Sequence, residues 1–266
     1  MSILDAAADV LRCFGPERLE LTVTDVVGLR GSPKSSTSRL LRAMRDAGLL
    51  ETVGDSKRYR PGILLFELGQ SYRAGSTLVS RAHEVISGIV DRVGHTGYVS
   101  VRDGLDVMGL AYIAGRNVLR VGTPVGRRLP LSASATGRTL LARLDDADLR
   151  AMFPGPLPQP SPKAPRDLDE LIARIDVVRR TGFAESDGEA NPGVGAIAAA
   201  VGDPGTGEVV SLCITYPQST ITDAERRQIV DGLLHGVRGI ATILGDARCA
   251  ALQATMRARP QQELTT

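Results

Sequence analysis

SPKSSTSRLLRAMRDAGLL, residues 32–50, reads as one helix with clear ends and an odd beginning. Ser32 and Pro33 suit an N-cap and a first helical turn, and Gly48 suits a stop. Between them Ser35, Ser36, Thr37 and Ser38 stand where good helix formers are expected. Ser and Thr compete with the helix for backbone hydrogen bonds, so helix stability does not explain them. At about 100° per residue, Thr37, Leu40, Leu41 and Met44 fall on one side, and Ser35, Ser38, Arg39 and Arg42 on the other. The first side fits a small core. The second lets a helix approach closely in a DNA major groove, with Arg in reach of a guanine edge or a phosphate. Lys34, beside the helix N-terminus, suits a phosphate.

The flanking sequence agrees. Residues 3–14 carry apolar side chains at helical spacing, and residues 25–30 form a short helix with Thr24 as cap and Gly31 as stop. LLETVGDSKRYRPG, residues 49–62, reads as a small hairpin. Three helices and a hairpin make a winged helix-turn-helix, whose recognition helix enters the groove by its N-terminal half. Strand alternation puts Arg58 and Arg60 on one face of the wing and turns Tyr59 inward. With Lys57 these basic residues grip the DNA backbone, which positions a protein without reading sequence. Residues 30–60 hold eight basic and three acidic side chains, whereas residues 1–29 hold two and five. Such a confined excess is the footprint of a module that meets a polyanion. The candidate contacts to double-stranded DNA are Ser32, Lys34, Ser35, Ser36, Ser38, Arg39, Arg42, Lys57, Arg58 and Arg60.

The expected organisation is a winged helix over residues 1–61, a linking helix over 62–76, a second domain over 77–250 and a disordered polar tail over 251–266. The linking helix is apolar at Ile63, Leu64, Phe66, Leu68 and Tyr72. In the second domain, helices are expected at 81–92, 135–143, 168–181 and 224–244, the last capped by Thr222. Strands are expected at 98–101, 107–113, 118–121, 194–201 and 208–216. A proline-rich surface loop, PGPLPQPSPKAP, lies between the second and third of these helices. The pattern is α+β around a mostly antiparallel sheet.

Several function classes fall away. No apolar run approaches the ~20 residues of a membrane span, and the N-terminus lacks a signal-peptide layout. A cytoplasmic protein with no membrane partner is expected. Cys13, Cys213 and Cys249 are far apart, which argues against a disulfide framework and a structural zinc site. His83, His95 and His235 have no metal-ligand spacing, and no cofactor, metal or catalytic residue is assigned. GVGAIA, residues 193–198, matches a dinucleotide-binding fingerprint in form only, since it runs into a strand and hairpin. An acyl-transfer enzyme using Cys213 is the enzymatic alternative, but no His partner is identifiable. A DNA-binding protein that responds to no effector is another alternative.

The string from Leu21 to Glu51, followed by KRYRPG and LLFELG, resembles the winged-helix end of the IclR family of bacterial transcriptional regulators. VGRRLPLSASATGRTLLA, PGVGAIAAAV and VVSLCITYP are similar to motifs of that family's effector-binding domain, in matching order over about residues 1–250. The resemblance implies a GAF-like ligand domain and homodimers that pair into dimers of dimers. It also implies control of a catabolic or metabolic operon by a small metabolite; a repressor is expected, with activation as the alternative, and a two-fold dimer would meet a palindromic operator.

Two features of the second domain could line a pocket. Leu131 to Ala135 are small or neutral, and Ser134 can cap the following helix, whose free N–H groups favour an anion. Ser211, Cys213 and Thr215 alternate on one strand face and Val210, Leu212 and Ile214 on the other. Val194, Ala196 and Ala198 come from the neighbouring strand, and Ser186 and Asp187 from the loop before it. By spacing alone the polar row reads as the solvent face of an antiparallel strand. The resemblance implies instead that the positions of Ser186, Val194, Ala196, Cys213 and Thr215 line an effector cavity. Family members carry an acid near Ser186, Cys at Ala196 and Ser at Cys213 and Thr215, so the polar groups are rearranged here. Met108, Tyr112 and Leu119 would complete a mixed apolar wall, which suits a larger, aromatic carboxylate. The candidate effector contacts are these residues with Leu131, Ser134, Ala135 and Asp187.

Overall fold

The computed structural model describes residues 2–15, 17–121 and 128–249, and the expected tail at 251–266 lies outside them. The chain divides into two units, Met1–Ser76 and Thr77–Thr266.

The first unit contains α1 (Ile3–Arg12), β1 (Leu21–Thr22), α2 (Val23–Arg30), α3 (Lys34–Asp46), β2 (Leu50–Thr52), β3 (Arg58–Pro61) and α4 (Ile63–Gly75). The expected hairpin is present as β2 and β3, and β1 adds a third antiparallel strand against β3, giving the order β1-β3-β2. Val10 of α1, Val26 of α2, Leu41 and Met44 of α3, Leu50 and Tyr59 pack as one buried cluster. The apolar side expected for α3 therefore faces inward. Its C-terminus closes as a Schellman motif: Gly48, at φ 78°, donates to the Arg45 carbonyl and Leu49 to that of Met44. A side chain at Gly48 would be strained in that left-handed conformation.

Two caps differ from expectation. Thr22, not Thr24, caps α2, because Thr22 and Asp25 satisfy each other's backbone N–H groups in a capping box. Pro33, not Ser32, holds the N-cap position of α3 and makes no side-chain cap. The Ser32 hydroxyl lies 2.9 Å from that of Thr37, which also donates to the Pro33 carbonyl at 3.0 Å.

The second unit contains α5 (Thr77–Val93), β4 (Thr96–Asp103), β5 (Asp106–Ile113), β6 (Arg128–Pro130), α6 (Ala135–Leu141), α7 (Asp146–Met152), α8 (Leu168–Thr181), β7 (Ala184–Asp187), β8 (Val194–Asp203), β9 (Glu208–Pro217) and α9 (Asp223–Leu244). Its six-stranded sheet has the order β6-β5-β4-β9-β8-β7, and each pairing is antiparallel. Helices α5 and α9 cover one face through Ile86, Ile89, Leu212, Ile214, Leu233 and Val237. The other face carries α6, with Ala135 packed among Tyr98, Ala198 and Cys213. A sheet covered on both sides explains the small apolar run in β8 and buries both faces of β9.

The structure corrects three expectations here. Residues 118–121 form no strand, and the sheet edge is β6 instead. Ser186 and Asp187 belong to strand β7, not to a loop. The helix α7 has no counterpart in the expected elements.

Candidate functional site

The first candidate site is the outer face of α3 with the wing. Lys34, Ser35, Ser36, Arg39 and Arg42 are exposed and Ser38 is half-buried. Thr37, Leu41 and Met44 are buried, so the split of the helix into a core side and an outward side holds in three dimensions. Lys34 and Arg39 have no carboxylate within ion-pair reach among the described residues. The Arg42 Nε lies 3.4 Å from the Ser38 carbonyl, one turn back along the same face. Ser36 differs: its hydroxyl donates to the Pro33 carbonyl at 2.9 Å and so serves the helix start. Ser32 is likewise committed to Thr37.

In the wing, Tyr59 is buried while Lys57, Arg58 and Arg60 are exposed. Arg60 has an acidic neighbour on the surface of the wing. Glu51 stands opposite it in the β2–β3 register, and the Arg60 Nε lies 2.6 Å from the Glu51 carboxylate. Lys57 precedes β3 in the turn, where the Ser56 hydroxyl accepts the Arg58 N–H at 3.2 Å.

The second candidate site is a cavity of about 710 Å³, its mouth included, between the sheet and α6. Sheet register builds it. Ser186, Ala196 and Thr215 align across β7, β8 and β9. Cys213 faces Tyr98 of β4, and Ser100 faces Gly109 of β5. These residues line the cavity, and Ser134, Ala135 and Thr136 form the opposite wall. α6 packs tightly on the segment that leads into it because position 137 is glycine: a Cβ there would stand 2.0 Å from the Leu131 carbonyl oxygen. Ala190, Asn191 and Val194 complete the lining on the side of β7 and β8.

The lining among the described residues is uncharged. Ser100 and Ser186 are buried residues whose side chains line the cavity. Ser134 accepts the Gly137 N–H at 3.0 Å as the α6 cap. Burial pushes the Cys213 thiol up to about 11, with the Thr136 hydroxyl opposing the rise. It is therefore a neutral thiol near neutral pH and a poor nucleophile.

Of the expected contacts, Ser134, Ala135, Ser186, Val194, Ala196, Cys213 and Thr215 come together in this lining. The others do not. Leu131 is fully buried in a separate cluster with Leu140, Leu141 and Leu171, because its segment passes under α6. Asp187 points outward to Lys163 Nζ at 2.7 Å and to the Gln218 amide. Tyr112 is exposed and packs against Tyr98 with the rings tilted by 55° and their centroids 5.5 Å apart, so it touches a wall residue without lining the cavity. Leu119 is exposed and Met108 half-buried, and neither is in the lining. Ser211 is also spent: Thr139 donates to the Thr136 carbonyl, so Ser211 must donate to Thr139, at 2.8 Å. Tyr98, Ser100, Thr136 and Asn191 were not expected. Strand order, which sequence spacing does not reveal, brings Tyr98 and Ser100 beside β9.

Two models of known protein families match the chain. The model described as IclR helix-turn-helix domain matches residues 4–54, and that described as bacterial transcriptional regulator IclR C-terminal matches residues 70–242. The HTH-type transcriptional regulator XynR of Escherichia coli K12 is 25% identical over 243 residues, covering 91% of this chain and 96% of XynR. The crystal structure of an IclR transcriptional regulator from Alicyclobacillus acidocaldarius superposes with a TM-score of 0.81 at 23% identity, over 90% of this chain and 97% of that one. An IclR homolog from Microbacterium hydrocarbonoxydans, crystallised with 4-hydroxybenzoate, gives a TM-score of 0.75 at 22% identity, over 97% of this chain and all of that one.

Proposed function

This chain belongs to the IclR family of bacterial transcriptional regulators, which are not enzymes, and on that premise we propose that it represses a catabolic or metabolic operon. It binds a palindromic operator through α3 and the wing, and a small organic carboxylate held in the second unit alters that binding. The observation that carries this reading is the pairing of two surfaces on one chain. One is an exposed Arg and hydroxyl face on α3, and the other is an uncharged cavity lined by the polar side chains of Ser100, Ser134, Ser186 and Thr215. Buried polar groups are normally satisfied, and a ligand carboxylate or phenol would satisfy several at once. An uncharged wall with Tyr98 in it favours an aromatic monoacid over a diacid, since a second buried charge would go unpaired. The homolog that binds 4-hydroxybenzoate makes that compound a rational first probe.

The reading includes a homodimer, with dimers pairing further. A single winged helix offers few base contacts, and a two-fold dimer doubles them on a palindrome. On α4, Ile63 and Phe66 fall on one side and Leu68 and Tyr72 on the other, and all four are exposed. Exposed apolar side chains on both sides of one helix favour contact with a second copy.

The test is fluorescence anisotropy with DNA from the region upstream of its own gene, with and without a panel of carboxylates led by 4-hydroxybenzoate. Salt-dependent operator binding, shifted at least several-fold by one of the acids, is expected, because coupling energies are typically about 1–3 kcal/mol. Tight operator binding that no small molecule alters would favour the effector-independent alternative.

A further inference from the structure

Ala190 and Asn191, which line the cavity, lie on the short connection between β7 and β8. The connection has a left-handed glycine at each end, Gly188 at φ 78° and Gly193 at φ 79°. Between them Glu189 turns inward and is buried. It is not part of the cavity lining, yet it is tied to three other elements. The Arg138 guanidinium of α6 forms a two-pronged ion pair with it, Nη1 to Oε2 and Nη2 to Oε1, the latter at 3.1 Å. Arg174 of α8 reaches Oε2 at 2.9 Å. The Ser161 hydroxyl of the proline-rich loop donates to the Glu189 carbonyl at 2.7 Å. Arg138 also donates to the Glu185 carbonyl of β7 at 2.5 Å.

This arrangement has a geometric meaning. Arg138 follows Ser134, Ala135 and Thr136 on the same segment, and those three form one wall of the cavity. Glu189 precedes Ala190 and Asn191, which form another. Arg138 and Glu189 therefore join two walls from behind. Buried ion pairs contribute little net stability, because desolvation offsets attraction, but they hold their partners in one arrangement. Other side chains could have filled this space with less desolvation. A buried charge pair at the back of two cavity walls is suited to a positioning role.

We propose that Glu189 is the positioning residue of the effector cavity: its pairing with Arg138 and Arg174 latches the Gly188–Gly193 connection against α6 and so sets how readily the cavity opens. The proposal rests on the reading of this cavity as the ligand site, but its test does not require the ligand. With the latch weakened, the connection swings about its two glycines and this wall of the cavity opens more often, while the rest of the domain stays folded.

The chain carries its own reporters. Cys213 is buried in the cavity wall, Cys249 is buried in the core on the other face of the sheet, and Cys13 lies in the first unit. N-ethylmaleimide reacts with a buried thiol only when its surroundings open, so the labelling rate measures opening. The experiment is peptide-resolved mass spectrometry of labelling on the full-length chain, without ligand, for wild type and Glu189→Gln. The expected result is a rise of about tenfold at Cys213 with Cys249 and Cys13 changed less than about twofold. Equal rises at Cys213 and Cys249 mean general loosening, and no rise at Cys213 means no latch; either overturns the proposal. Should Glu189→Gln fail to fold, Arg174→Met decides, since it leaves the Arg138 pair in place; a Cys213 to Cys249 ratio raised about threefold is expected, and an unchanged ratio overturns the proposal. Failure of every carboxylate to affect operator binding would overturn the cavity's assignment and leave the labelling result intact.

Discussion

Arg143, just past the end of α6, and Asp246, just past the end of α9, meet in a two-pronged ion pair with both contacts at 2.9 Å. Asp246 is buried and also accepts the N–H groups of Gly202, at 2.8 Å, and Cys249, at 3.3 Å. Burial alone would raise its carboxyl pKa. Arg143 and the two N–H groups outweigh burial and hold it below the ordinary value of 3.8. A carboxylate with a lowered folded-state pKa stabilises fully above its unfolded value, and that stability is lost as pH falls through the folded one. Asp246→Ala leaves Arg143 without its partner and is expected to cost about 3–5 kcal/mol near neutral pH. Urea unfolding near neutrality and at about pH 2.5 checks this. A gap between wild type and variant that does not shrink in acid would contradict it.

Arg39→Ala or Arg42→Ala is expected to weaken operator binding by about 1–3 kcal/mol at fixed salt, with thermal unfolding unchanged. Both side chains are exposed on the face of α3 opposite Leu41 and Met44. Lys57→Ala and Arg58→Ala should act alike on specific and unrelated DNA, each lowering the salt slope by about one unit. Arg60→Ala should do less, because Glu51 already holds that guanidinium. Full operator affinity in both α3 variants would remove α3 from the groove.

The helix was legible in the sequence because everything that defines it is local. Its core side, its Gly48 stop and the alternation of Arg58, Tyr59 and Arg60 all follow from neighbouring residues. The caps were less so. Thr22 and Thr24 both precede an apolar run, and only the reciprocal bond with Asp25 selects Thr22. The cavity was half legible. Alternation along β9 pointed to Cys213 and Thr215, but which strand lies beside them depends on pairings distant in sequence. Tyr98 and Ser100 enter through β4, more than a hundred residues before their β9 partners. Residues 118–121 have the alternation of a strand, yet it is Arg128–Pro130 that pairs with β5. Nothing in the sequence marks Arg138 and Glu189 as partners.

Thr215→Val keeps the shape of the wall and removes a hydroxyl from it. It is expected to weaken the response to the effector by about 0.5–1.5 kcal/mol, the usual worth of one hydrogen bond, and to leave ligand-free operator binding unchanged. Cys213→Leu adds bulk to the same wall and should weaken the response more strongly, by overpacking. Isothermal titration with the acid found in the anisotropy screen measures both. If neither variant differs from wild type, the ligand lies elsewhere.

Phe66→Glu places a charge on an exposed apolar position of α4 and should leave the monomer's fold intact. Light scattering is expected to show a smaller assembly, or the same assembly with operator affinity reduced at least tenfold through loss of paired half-sites. Unchanged mass and unchanged affinity would remove α4 from the contact between copies.

The sheet of the second unit is one residue thick, and β9 shows what that entails. Cys213 and Thr215 look into the cavity, while Leu212 and Ile214, which alternate with them, are buried in one cluster with Ile86, Ile89 and Val90 of α5. A guest that displaces Thr215 drags Ile214 along, because adjacent residues share a rigid peptide plane. The gap on the far side cannot absorb the shift, since packed interiors compress little. A guest that moves the strand is thus expected to be felt on its opposite surface, where α5 (Thr77–Val93) packs.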